Sequence, residues 1–199
     1  MFIRNGKRFN IWASQTLDGV TYGNFNDLSV RAKLGITEIA DPERKDERYY
    51  YVQEVDEAPY VINTPKPLAD VATTIWRDIQ AHRDRLSEAG CLVGTDWFHN
   101  DVKSRSQWER MVNRSAGMSD NDPYMVGGEQ VMWKTMSKTF VPLTAGKIRE
   151  VVAAFELQEA TVFKVAETHR MIVMSKQTLE EMAAYNWNVD WPAVYEVAS

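Results

Sequence analysis

The chain has 199 residues, a net charge of −5, 44% apolar and 26% charged residues, and a single cysteine. That composition supports a buried core and excludes wholesale disorder. It argues against nonspecific binding of nucleic acid or of anionic membranes, excludes an intrachain disulfide, and offers no apolar run near the ~20 residues of a membrane span. The first residues are charged and polar, unlike a secretory leader, and the expectation is a protein free in solution or held in a soluble assembly.

In chain order, FIRNGKRFNI reads as a hairpin over Asn5-Gly6, because a two-residue type I′ turn needs positive φ at both central positions. Arg4, Lys7 and Arg8 cluster there and read as a solvated face. LDGVTY repeats the pattern over Asp18-Gly19. DLSVRAKLGI reads as a short helix, with Asp27 as N-cap, Leu28, Ala32 and Leu34 as its apolar side and Gly35 as its stop. The charged loop DPERKDE, residues 41–47, leads into a hairpin of YYYVQEV and PYVINT. Residues 1–64 thus form a β-rich docking module. Pro65 and Pro67 in TPKPL make residues 65–67 a linker, and residues 68–199 a helical domain with hairpins.

That second domain opens with an amphipathic helix from about Leu68 to Ala89, its stripe formed by Leu68, Val71, Ile75, Ile79, His82 and Leu86, and ended by Gly90. CLV and WFH flank a Gly94-Thr95-Asp96 turn. Asp101 caps a second helix, with Val102, Trp108, Met111, Val112 and Ser115 expected inward. Residues 117–130 read as a long loop, and VMWKT and FVPLT as a further strand pair. Thr144 caps the longest helix, in which Ile148, Val152, Phe155, Val162, Ala166, His169 and Val173 trace one stripe; the pattern runs on to about Ala184. A helix of that length calls for packing partners. The tail from Tyr185, with Trp187, Trp191 and Pro192, is expected to dock, since exposed indoles are costly to leave in water. The fold class is therefore α+β: a small β-rich N-terminal module, then a helical domain with two short hairpins and one long C-terminal helix.

The search for chemistry returns no catalytic constellation. His82, His99 and His169 lie on different elements, without metal-binding spacing; His99 with Asp96 and Asp101 is the one conceivable metal set, and a capping or locally bonded imidazole is the preferred reading. Cys91 follows a helix C-terminus, where the dipole disfavours a thiolate, and reads as a small buried hydrophobe. Gly127-Gly128 lacks the context of a phosphate loop, and the acidic residues give no selective pair for glycoside hydrolysis. His82 and His169 fall on or beside apolar stripes; facing each other, they would make assembly pH-sensitive. The expectation is no enzyme, no catalytic residue, no metal and no cofactor.

Four segments resemble a domain of unknown function found in tail proteins of tailed bacteriophages and prophages: AHRDRLSEAG (81–90), WFHNDVKSRSQ (97–107), VMWKTMSKTFVPLT (131–144) and VFKVAETHR (162–170). Asn100 stands where the resembled pattern more often has Ser, Ser137 where it has Asp, and the 117–130 loop is longer. RNGKRFNIWASQTLDGVTYGNF with LGITEIADP is similar to the leader of phage tail-associated proteins. The resemblance over residues 75–170 and the leader implies a structural virion component, a tail-fibre or fibre-associated adaptor protein, made in the bacterial host cytoplasm and carried in the tail. Its partners would be other tail, fibre or adaptor proteins and further copies of itself, a trimer about an axis among the arrangements; no nucleic acid and no membrane insertion are expected. A tail-fibre assembly chaperone and a receptor- or glycan-binding adhesin are the rivals. The aromatic residues assigned to protein interfaces are Phe2, Phe9, Trp12, Tyr22, Trp97, Trp108, Trp133, Trp187 and Trp191, with Trp97 and Trp133 serving sugar stacking in the adhesin reading.

Overall fold

The computed structural model describes residues 1–23 and 25–195. It has the mixed α+β class expected, and the chain divides into two compact units, Met1–Val71 and Ala72–Ser199.

In the first unit, β1 (Phe2–Arg4) and β2 (Lys7–Arg8) form the hairpin over Asn5 and Gly6, whose φ values of 52° and 76° meet the demand of the turn. β3 (Gln15–Leu17) and β4 (Val20–Tyr22) form the second over Asp18 and Gly19. In α1 (Leu28–Lys33) the Asp27 carboxylate accepts the Ser29 N–H at 2.8 Å, as its place before the helix requires. Gly35, at φ 63°, releases the chain into β5 (Ile36–Glu38). That strand lies along β1 with Ile3 opposite Thr37, giving the order β2-β1-β5. The sequence reading missed β5, because three residues are too few to show an alternation. Ile11, Phe25, Leu34 and Ile36 are buried, walled by Phe2, Phe9, Leu17, Tyr22 and Val30; Phe9 meets Phe25 edge-on at 5.1 Å.

β6 (Tyr50–Glu54) and β7 (Val61–Pro65) complete this unit as a hairpin. It is tied to β2 by the Arg8 N–H on the Asp56 carbonyl at 2.7 Å, and by Arg8 and Arg44 sharing the Glu54 carboxylate. Pro65 is the last residue of β7 and the Lys66 N–H donates to the Tyr49 carbonyl at 2.9 Å, so the proline stretch leaves the strand without a gap.

α2 (Leu68–Ser87) starts on the Pro67 carbonyl, which accepts the N–H groups of Asp70 and Val71 at 3.0 and 3.2 Å. In the second unit Gly90, at φ 95°, turns the chain into β8 (Cys91–Val93) and β9 (Asp96–Phe98). A side chain at Gly90 would press on the flexible Met136 side chain, which can give way, so it is the positive φ that calls for glycine at this corner. α3 (Val102–Arg114) follows, the Asp101 carboxylate accepting the Ser104 N–H at 3.0 Å. Val102, expected inward, is 69% exposed: as the first residue of the helix it points off the core, and Ser104 is buried instead.

The expected loop 117–130 contains a small hairpin, β10 (Met125–Val126) and β11 (Glu129–Gln130), turned by Gly127 and Gly128 at φ 64° and 88°. β12 (Met132–Lys134) and β13 (Phe140–Pro142) pair with Trp133 opposite Val141. α4 (Ala145–Ser175) runs 31 residues from the Thr144 cap. It stops well short of Ala184, because Thr178 caps a separate helix, α5 (Leu179–Ala184). The Thr178 hydroxyl accepts the Glu181 N–H at 3.1 Å, and the Glu181 carboxylate accepts the Gln177 N–H at 2.9 Å, a capping box that begins a new helix.

The core of this unit holds Cys91, Phe98, Trp108, Met111, Tyr124, Leu143, Ile148, Val151 and Phe155. α2 and α4 run antiparallel: the Arg83 guanidinium lies over the Phe163 ring at 4.2 Å, and Arg170 lies over Trp76 at 5.9 Å.

Candidate functional site

The segment richest in reactive residue types, Cys91 to Met111, is a structural corner. Cys91 is 2% exposed, and burial pushes its thiol up to about 12, far from a nucleophile's range. Asp101 is held below the usual carboxylate range by hydrogen bonds from the Ser104 hydroxyl and N–H, which is the signature of its cap. Among the described residues, no group of three or more His, Cys, Asp and Glu side chains is placed to hold a metal ion, so His99, Asp96 and Asp101 do not form one.

The same corner contains a polar knot that the sequence did not reveal. Asn100 is fully buried; its amide donates to the Ser87 carbonyl at 2.7 Å and its side-chain oxygen accepts from Arg105 at 2.7 Å. Arg105 donates to the Ser87 carbonyl at 2.8 Å and to Glu159 at 3.0 Å. The end of α2, the start of α3 and the middle of α4 are thereby fastened through one guanidinium. A cleft of about 380 Å³ opens beside it, lined by Asp84, Glu88, Val102, Arg105, Glu159 and Phe163. Its arginine already has its partners, so the cleft reads as the outer wall of the knot.

A second cluster gathers both stripe histidines. His169 is 3% exposed; its Nδ1 bonds the Tyr185 hydroxyl at 2.6 Å and its Nε2 the Val189 carbonyl at 3.0 Å. His82 and His169 lie against the Trp191 ring at 4.8 and 5.4 Å, and His82 meets Trp187 at 5.7 Å. Burial, then the neighbouring Arg85 and His169, press the His82 imidazole below its ordinary value. The cluster fixes the tail: Trp187 and Trp191 are half-buried within it, and the Trp191 N–H donates to the Trp187 carbonyl at 2.9 Å.

Of the other interface candidates, Trp108 is completely buried, so it belongs to the core and leaves the list of surface groups. Trp133 is half-buried against it at 4.4 Å, and Trp97 is half-buried near Tyr195. Phe2, Phe9 and Tyr22 wall the first unit's core. Trp12 alone of the nine stands free, at 80% exposure. Its N–H donates to the Asn10 side chain at 2.9 Å, which sets the loop that presents it. It borders a hollow of about 390 Å³ lined by Phe2, Phe9 and Ile11, with Arg8 and Asp56 at the rim.

Apolar side chains that composition could not rank are also exposed. Leu28, Val20, Tyr51 and Ile62 lie on the first unit; Met125, Val126, Met132 and Phe140 lie on the hairpins of the second, and Leu157, Met171 and Met174 on α4. Among the described residues no helix is long and apolar enough to cross a membrane.

No curated protein and no solved structure matches the chain. Residues 70–187 match the family described as a domain of unknown function, DUF4376, extending the stretch 75–170 recognised in the sequence at both ends. That span holds all but the first two residues of α2, then α3 to α5, the Asn100–Arg105 knot, and His82 with His169, and on it the chain belongs to the DUF4376 family.

Proposed function

We propose that this protein is a structural component of a bacteriophage tail, a tail-fibre or fibre-associated adaptor that docks to other tail proteins through its N-terminal unit and is carried in the virion. The observation that carries the docking role is Trp12, an indole 80% exposed on a loop tied down by Asn10 and flanked by an apolar hollow with charged residues at its rim. Tryptophan leads the residues that dominate interface energies, and a loop held in place before binding loses little entropy on docking. The tail setting is supported by the four segments between residues 81 and 170 and by the leader-like N-terminus.

The test is mass spectrometry of purified virions from cells making the wild-type chain or Trp12→Ser. The wild type is expected in the particle. The variant should fall by ~10-fold or more, as the loss of one central aromatic anchor implies, with an unchanged thermal unfolding curve. A wild type absent from particles would make it an assembly chaperone, and a variant incorporated normally would remove Trp12 from docking. The glycan-binding rival has less support, because Trp97 and Trp133 are each half-buried against other rings.

A further inference from the structure

α4 carries two seams on opposite sides. One is the buried stripe Ile148, Val151, Phe155, Val162, Ala166, His169 and Val173. The other is exposed throughout: Ala153, Leu157, Ala160, Lys164, Glu167, Met171 and Met174, spaced alternately by four and three residues. Such spacing is the repeat that keeps one face of a helix turned toward a partner helix, here over a length of ~32 Å. Leu157 and Met171 are 69% and 63% exposed, values that stand out on a helix whose opposite side is completely buried. The seam is apolar or small at both ends and charged at its centre.

We infer that a second copy of this chain packs antiparallel along this seam, about a two-fold axis that crosses α4 between Val165 and Ala166. The charges set direction and register. In that arrangement Lys164 of each copy faces Glu167 of the other, Leu157 faces Met174, and Met171 lies over the small Ala160. The six seam residues from Leu157 to Met174 are then matched at once, with Ala153 left beyond the overlap, and the flanks bring Thr161 beside Thr168 and Arg170 beside Phe163. Any parallel in-register packing, dimer or trimer, sets Lys164 against Lys164 and Glu167 against Glu167 at the centre of the contact, where like charges are costly. Lys164 has no ion pair among the described residues, while both carboxylate oxygens of Glu167 accept from Arg170 on its own helix, and a carboxylate has lone pairs enough to accept from a second cation as well. The pairing is isologous, as two-fold contacts are. It goes beyond the docking role of Trp12, which lies in the other unit.

The experiment is analytical ultracentrifugation of the full chain with charge-exchange variants, each checked for an unchanged melting curve. The wild type is expected as a concentration-dependent dimer. Lys164→Glu and Glu167→Lys should each weaken it by ~10-fold or more, while the two changes combined in one chain should return it to within ~3-fold of the wild type. Restoration within one chain is specific to antiparallel packing, because a parallel pair would still oppose like charges. Met171→Glu should leave a monomer. A wild type that stays monomeric at ~200 µM, well above the micromolar Kd of an ordinary specific contact, or that forms trimers, overturns the inference; so does a combined variant that fails to dimerise. None of these results bears on particle docking by Trp12.

Discussion

A tryptophan's role in this protein depends on its surroundings, and two of the seven show the extremes. Trp108 meets Phe98, Phe155 and Trp133 at ring distances of 5.7, 6.1 and 4.4 Å and is wholly buried. Trp108→Ala should therefore cost about 3–5 kcal/mol, the range for deleting a large buried aromatic, read as a lower midpoint in urea unfolding. At this scale the sequence was partly legible. Trp108 shares a helical face with Met111, and that spacing already turned it inward. Trp12 has no regular neighbours, so nothing in the string distinguishes it from Trp97; only the folded loop shows which indole is presented. Cys91 was readable because its place after a helix end, between apolar neighbours, leaves few roles for a thiol.

At the scale of elements, the ends of helices were the most readable features. Asp27, Asp101 and Thr144 each accept a backbone N–H from the first turn of their helix, as their places in the sequence foretold. Asp101→Ala should lower stability by about 1 kcal/mol, less than Trp108→Ala, with the same urea titration as the measure. The break between α4 and α5 was legible too, as Thr178 followed by Glu181, but the apolar spacing continued across it and obscured the signal. β5, β10 and β11 were missed because two or three residues carry no period. The Asn100–Arg105 knot was out of reach for a different reason: it joins Ser87, Asn100, Arg105 and Glu159 from separate elements, and each residue in isolation reads as an ordinary polar side chain.

For the molecule as a whole, acid is the informative perturbation. The folded state holds His82 below its ordinary value of 6.5, chiefly through burial. A base depressed in this way binds its proton more readily in the unfolded chain. Its contribution to stability is complete above that value, and it is lost as pH falls through 6.5 toward the lower folded-state value. Melting temperature should therefore decline across that interval, and the slope should flatten in His82→Asn. The class of the fold followed from patterns within single elements, while the apolar groups left uncovered depended on how those elements pack together. One contact in the core has an optical corollary. The indoles of Trp108 and Trp133, with centroids 4.4 Å apart and planes inclined at 46°, are close enough for their transitions to couple as an exciton pair. Far-ultraviolet circular dichroism of this protein will then carry a signed couplet beside the helical bands, an intrinsic signal that follows the closing of the core separately from the winding of its helices.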